Sequence, residues 1–261
     1  MAVIKTCQCS ENCHRPPLDK QPFCEYHTTH GCPNKSKLTG YEPSKEIIKE
    51  YNKDPAKRKS HNCYAFAVQM NDLEKIRKCR NDPKCDVGFH APGKQAGQDG
   101  FSGILGKRCG DILSRTRGDI PEATLSIFDQ KCPSGFSKIA IVVDDKRDFH
   151  YYIQLDDGTW AHKPGGRKAT LIDSNGSIII NPKLAGRYYP AEYPGDSELN
   201  YSSFCSFLCV PRTKPIIVKG GTRKHYALSK PTVLRARTRR VGSLRRVKKG
   251  SRSVKPRRNH I

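Results

Sequence analysis

The sequence contains no run approaching the roughly 20 apolar residues that a membrane span requires, which argues against a transmembrane protein. Its first residues, MAVIKTCQCS, hold no apolar stretch of secretory length, so the expected setting is a reducing compartment in which paired disulfides are not the default. Asp and Glu are missing altogether from Val210 onward, a stretch with 18 Lys and Arg. Of the net charge of +23, that stretch carries +18 and the rest +5, the latter ordinary for a soluble domain. No aromatic residue follows Tyr226, so the basic end offers no base-stacking platform. No internal repeat is evident.

The chain divides into four regions. Residues 1–40 are rich in Cys, His and Pro and too short for an apolar core. Residues 41–60 read as a polar linker. Residues 61–215 carry nearly all the apolar periodicity, and 216–261 form a basic tail. Self-repulsion predicts a tail disordered on its own and attracted to polyanions in a salt-sensitive, sequence-independent way. Arg239, Arg240, Arg245, Arg246, Lys248 and Lys249 are its candidate contacts, with nucleic acid, anionic membrane surfaces and acidic protein grooves all open as partners.

Twelve cysteines are present, five of them within Cys7–Cys32. Cys9 and Cys13, followed ten residues later by Cys24 and His27, make two short-spaced pairs, the supply that a tetrahedral zinc site needs. Four protein ligands leave no open position, so the zinc is expected to be structural and coupled to folding. Cys7, His30 and Cys32 are spare ligands that leave the assignment open. Cys205 and Cys209 sit among Phe204, Phe207 and Leu208 and read as buried packing. Cys79 and Cys85 fit zinc or free thiols, and Cys109 and Cys132 have no evident role.

In the third region, apolar Phe66, Met70, Leu73 and Ile76 recur at helical spacing behind Asn62, a plausible N-cap. Cys63 then falls in the first turn, where the helix dipole lowers a thiol pKa. Residues 138–144 (KIAIVVD) read as a buried strand, and 149–155 with 159–163 as a hairpin around Asp156-Asp157-Gly158. A three-residue loop with Gly158 in the left-handed position pairs Leu155 with Thr159 and hence Tyr152 with His162. His150 and His162 then share a face as diagonal neighbours about 7–8 Å apart. A two-residue Asp-Gly turn would put them on opposite faces. On the favoured register His150 can serve as base toward Cys63, and His162 can fix its tautomer. Trp160 and His90 read as a core aromatic and a loop residue.

An Asn-Cys-Tyr-Ala helix start, a strand His and a second His twelve positions on resemble the NlpC-type cell-wall endopeptidases, relatives of papain with a Cys-His-His triad. The segments HNCYAFAV (61–68), DFHYYIQLDDGTWAHKPGG (148–166) and FCSFLCVPR (204–212) are more closely similar to uncharacterised proteins of large nucleocytoplasmic DNA viruses of iridovirus, marseillevirus and chlorella-virus types. The N-terminal Cys/His leader resembles theirs too; the tail lies outside the common pattern. The resemblance implies a papain-like α+β fold, with the Cys63 helix packed on an antiparallel sheet bearing both histidines. It implies acyl transfer from an amide or ester, with a backbone N–H near Cys63 and the Asn62 amide holding the oxyanion. It further implies a virion protein, made in the host cytoplasm or nucleus, placed as a minor capsid or internal component among other capsid proteins. Active cysteine amidase or peptidase and non-specific DNA-packaging protein are the alternatives.

Overall fold

A computed structural model describes residues 6–33, 35–82, 84–101, 107–145, 147–191 and 197–212, and the backbone of 217–218. The six basic residues assigned above to polyanion binding lie outside the described residues. In chain order the elements are α1 (Glu25–His30), α2 (Glu46–Lys53), α3 (Pro55–Ser60), α4 (Cys63–Ala67), β1 (Asn71–Asp72), α5 (Leu73–Asn81) and α6 (Cys109–Asp119). Then come β2 (Thr124–Ser126), β3 (Phe136–Asp144), β4 (Asp148–Gln154), β5 (Trp160–His162), β6 (Tyr188–Tyr189), β7 (Leu199–Asn200), β8 (Ser203–Pro211) and β9 (Ile217–Val218). The fold is α+β. No helix among the described residues is long and apolar enough to cross a membrane.

A five-stranded antiparallel sheet, ordered β2-β8-β3-β4-β5, forms the centre. Both its faces are covered, so β3 and β4 are buried along almost their whole length. On one face Ile139, Ile141, Phe149, Tyr151 and Ile153 pack with α4 and α6; on the other Ala140, Val142, Tyr152, Trp160 and Phe207 form a second core. The alternation along β4 thus sends odd residues to the helices and His150 and Tyr152 to the opposite side.

The β4–β5 register is the one the three-residue loop requires: Tyr152 pairs with His162, Ile153 with Ala161 and Gln154 with Trp160. Leu155 N donates to Thr159 O, and Gly158 adopts φ +84°, a conformation that favours glycine. Trp160 is fully buried against Phe207, an ordinary core aromatic.

Three expectations are corrected. The helix read from Cys63 through Ile76 is two helices. Gln69 turns left-handed at φ +55°, β1 intervenes, and Asp72 caps α5 by accepting from Lys75 N at 3.0 Å, leaving Leu73 59% exposed. Residues 41–60 are no linker. They contain α2 and α3, and Tyr51 donates from its hydroxyl to Met70 O at 2.8 Å inside the core. The third correction concerns the cysteines. Eight are paired: Cys9–Cys32, Cys79–Cys85, Cys109–Cys205 and Cys132–Cys209. The last two staple β8 to α6 and to the loop before β3, partners 96 and 77 residues away in sequence.

Candidate functional site

Two clusters carry chemistry. The first begins at α4. Asn62 caps the helix, its Oδ1 accepting from Ala65 N at 3.2 Å, while its Nδ2 donates to His90 O at 2.8 Å. The Asn62 amide is therefore engaged in holding the helix start and the His90 loop, and it is not aimed at an oxyanion as expected. Arg212 anchors the other end of α4, donating from Nη2 to Ala67 O at 3.0 Å.

Cys63 opens α4 and is 4% exposed. Its Sγ lies 3.8 Å from Phe149 O, so the thiol hydrogen-bonds the strand residue adjoining His150 and not His150 itself. Burial, with the Asp148 carboxylate nearby, pushes the thiol up to about 12. The sequence pointed the opposite way, toward a lowered value. A five-residue helix supplies little dipole, and desolvation outweighs it.

His150 and His162 meet as the register demands. Nε2 of His150 lies 2.8 Å from Nδ1 of His162, and Nε2 of His162 lies 2.9 Å from Ile172 O. A carbonyl only accepts, so His162 carries its proton on Nε2 and accepts on Nδ1. His150 must then donate from Nε2, which leaves the lone pair of its Nδ1 bare. Burial lowers both rings, His162 to about 4 and His150 well below its ordinary value, so both are neutral near pH 7. A neutral imidazole with a bare Nδ1 is a general base in waiting.

His150 faces a cleft of about 400 Å³ that Asp148, Gly165, Gly166, Tyr189 and Tyr201 also line. Tyr201 stacks obliquely on His150 at 5.2 Å and donates its hydroxyl to Asp148 Oδ2 at 2.7 Å. Neither Tyr201 nor Asp148 carries a sequence signal for this role. His61 and His90 do not compete as bases. His61 donates from Nδ1 to Lys57 O at 3.1 Å and accepts on Nε2 from Asp72 N at 3.1 Å, and burial holds it down to about 3. His90 is buried, 3.4 Å from Asp72 Oδ2, and held to about 4 by desolvation.

The second cluster is in the leader. Cys7, Cys13, Cys24 and His27 place their ligand atoms within 4.8 Å of one another and can hold a metal ion. Cys7 takes the place assigned to Cys9, whose sulfur is bonded to Cys32. Cys7 Sγ is 3.2 Å and Cys24 Sγ 3.4 Å from His27 Nδ1, and the Cys13 and Cys24 sulfurs are 3.6 Å apart. The residue between Cys7 and Cys9 ties this lobe to the sheet domain. Gln8 Oε1 accepts from Ile180 N at 2.7 Å and Asn181 N at 3.1 Å, and its Nε2 donates to Asp173 Oδ2 at 3.2 Å.

Comparison with known proteins adds one relative. The insoluble matrix shell protein 1 of Ruditapes philippinarum is 28% identical over 149 residues, which is 56% of this chain and 82% of that protein. No family model matches the chain, and no solved structure matches it.

Proposed function

We propose that this chain is a papain-like thiol hydrolase of the amidase or peptidase type, with Cys63 as nucleophile, His150 as base and His162 as the group that orients it. The observation that carries this reading is the relay from Ile172 O through His162 to His150, which leaves Nδ1 of His150 unprotonated on the strand that Cys63 touches. Because thiol and imidazole rest neutral, proton transfer accompanies attack and does not precede it. For attack the Cys63 side chain leaves Phe149 O and reaches past the edge of β4 to His150 on its other face, sulfur bonds to the substrate carbonyl carbon, and the thiol proton passes to Nδ1. First-turn N–H groups of α4 hold the oxyanion. The imidazolium then protonates the leaving amine or alkoxide, and water releases the acyl group as a carboxylate.

In the leader, Cys7, Cys13, Cys24 and His27 hold a structural zinc on this reading. Three of the six separations, 3.2, 3.4 and 3.6 Å, lie near the edges of a tetrahedron with Zn–S near about 2.3 Å and Zn–N near about 2.0 Å.

A second reading is a structural component of an assembled particle or matrix. Four disulfides bracing the domain favour an oxidising setting, and the relative is by its name an insoluble matrix protein. The resemblance to viral proteins supplies the virion form of this reading. The two are separated by assaying purified protein against a panel of peptide amides, isopeptides and esters. The hydrolase reading expects turnover that Cys63→Ala abolishes. The structural reading expects no turnover, and retention of wild-type and Cys63→Ala chains alike in the insoluble assembled fraction.

A further inference from the structure

The tetrapeptide Lys163-Pro164-Gly165-Gly166 follows the second histidine directly, and the mechanism above does not use it. Its lysine is an unusual core residue. Lys163 is fully buried, and among the described residues it has no carboxylate partner. Its Nζ donates to two backbone carbonyls, His61 O and Gly165 O. The first lies two residues ahead of Cys63, on the turn that enters α4. The second belongs to the wall of the His150 cleft. One side chain therefore ties the start of the nucleophile helix to the edge of the cleft.

A buried ammonium without a counter-ion is costly, and a methionine or leucine would fill the same space without that cost. Two carbonyls satisfy donors but supply no full negative charge. The ionisable group that interacts with Lys163 most favourably is the Cys63 thiol: a charged Lys163 favours the thiolate, and the thiolate favours the charged amine. In the resting state burial holds the amine down to about 7, so its charge is easily gained or lost near neutrality.

Building on the thiol-hydrolase reading, we infer that Lys163 is a positioning residue of that site: it clamps the Cys63 helix start to the cleft wall and presents the positive charge that a Cys63 thiolate faces. It acts through Cys63 and touches no substrate. His162 and Lys163, neighbours in sequence, thus serve the two reacting groups separately, His162 the base and Lys163 the nucleophile.

The test uses the full-length protein with Lys163→Met, which removes the amine, and Lys163→Gln, which keeps a donor but no charge. Two readouts are taken: the rate of Cys63 carbamidomethylation by iodoacetamide across pH 6 to 10, followed by mass spectrometry, and amide hydrogen exchange of residues 61–64 and 164–167. Lys163→Met is expected to slow Cys63 alkylation about tenfold at pH 6, where most of the amine is charged, equivalent to one pKa unit, to slow it less at pH 8 and above, and to speed exchange in both segments together. Lys163→Gln is expected to slow alkylation while retaining more exchange protection than the Met variant. Unaltered alkylation in a folded Lys163→Met protein overturns the proposal, whether or not exchange changes, because Lys163 is then at most a structural tie. Should neither variant fold, wild-type protein with ¹³Cε-labelled lysine decides: a Lys163 signal that shifts when Cys63 is alkylated supports the proposal, and one that alkylation leaves unmoved overturns it. The hydrolase reading fails by a different route, when His150→Ala leaves Cys63 alkylation and turnover as they are in the wild type.

Discussion

His162 Nε2 lies 2.9 Å from the carbonyl oxygen of Ile172, and this contact fixes where every proton of the histidine pair resides. Because the acceptor cannot donate, the orientation passes through Nδ1 of His162 to Nε2 of His150 at 2.8 Å. On the proposed reading the base is thereby prepared by a main-chain atom in the loop that follows β5, not by a carboxylate.

Replacing the middle of that relay removes the tautomer control. His162→Ala is expected to lower kcat on any substrate the panel identifies by about 10²- to 10⁴-fold, the range seen when the orienting member of a triad is changed, with KM little altered. Steady-state kinetics on the folded variant checks it; an effect confined to KM would contradict the assigned role.

Acid should destabilise the domain in a defined window. His61, His90, His150 and His162 are all held below the ordinary histidine value of 6.5 in the folded state, three of them to about 3 or 4. As pH falls through 6.5 the unfolded chain takes up protons that the folded one refuses, so stability falls until the folded values are reached near pH 4. The loss is on the order of several kcal/mol. Urea midpoints measured from pH 7.5 to 4.5 should decline steadily, whereas a flat profile would show these rings to be solvated.

Metal content separates Cys7 from Cys9. Cys7→Ser is expected to lose bound zinc as measured by elemental analysis, and Cys9→Ser to retain the wild-type content, since Cys9 is bonded to Cys32. Chelation should lower Tm in the wild type and leave the Cys7 variant unmoved.

The two long-range disulfides should dominate redox stability. Cys109–Cys205 closes a loop of 96 residues, and in the chain-entropy account its removal costs about 4–5 kcal/mol. Peptide mapping without reductant should recover Cys109 linked to Cys205 and Cys132 linked to Cys209. Free thiols at all four positions would contradict the fold as described.

What the sequence disclosed was local. The β4–β5 turn could be read because Asp156-Asp157-Gly158 has one comfortable loop geometry, and that geometry brings His150 onto His162. The strand at 138–144 was equally plain from its unbroken apolar run. The break after α4 was not, because the apolar spacing of Phe66, Met70, Leu73 and Ile76 is helical whether or not Gln69 turns left-handed. Cysteine pairing was hidden for a different reason. It depends on β8 inserting between β2 and β3, a non-local choice, and on a bulge that skips Cys205 in the register with β3. The exchange of Cys9 for Cys7 in the metal cluster follows from the same pairing chemistry. The thiol was misjudged because a helix-start position speaks only of the dipole, and burial, which sets its state here, is a tertiary property.

Whether Cys63 and His150 work as a pair is decided by the alkylation rate of Cys63 in wild type and in His150→Ala. With free thiols quantified individually by mass spectrometry at pH 8, iodoacetamide is expected to modify Cys63 at least tenfold faster in the wild type than in His150→Ala. Equal rates in the two folded proteins would contradict it.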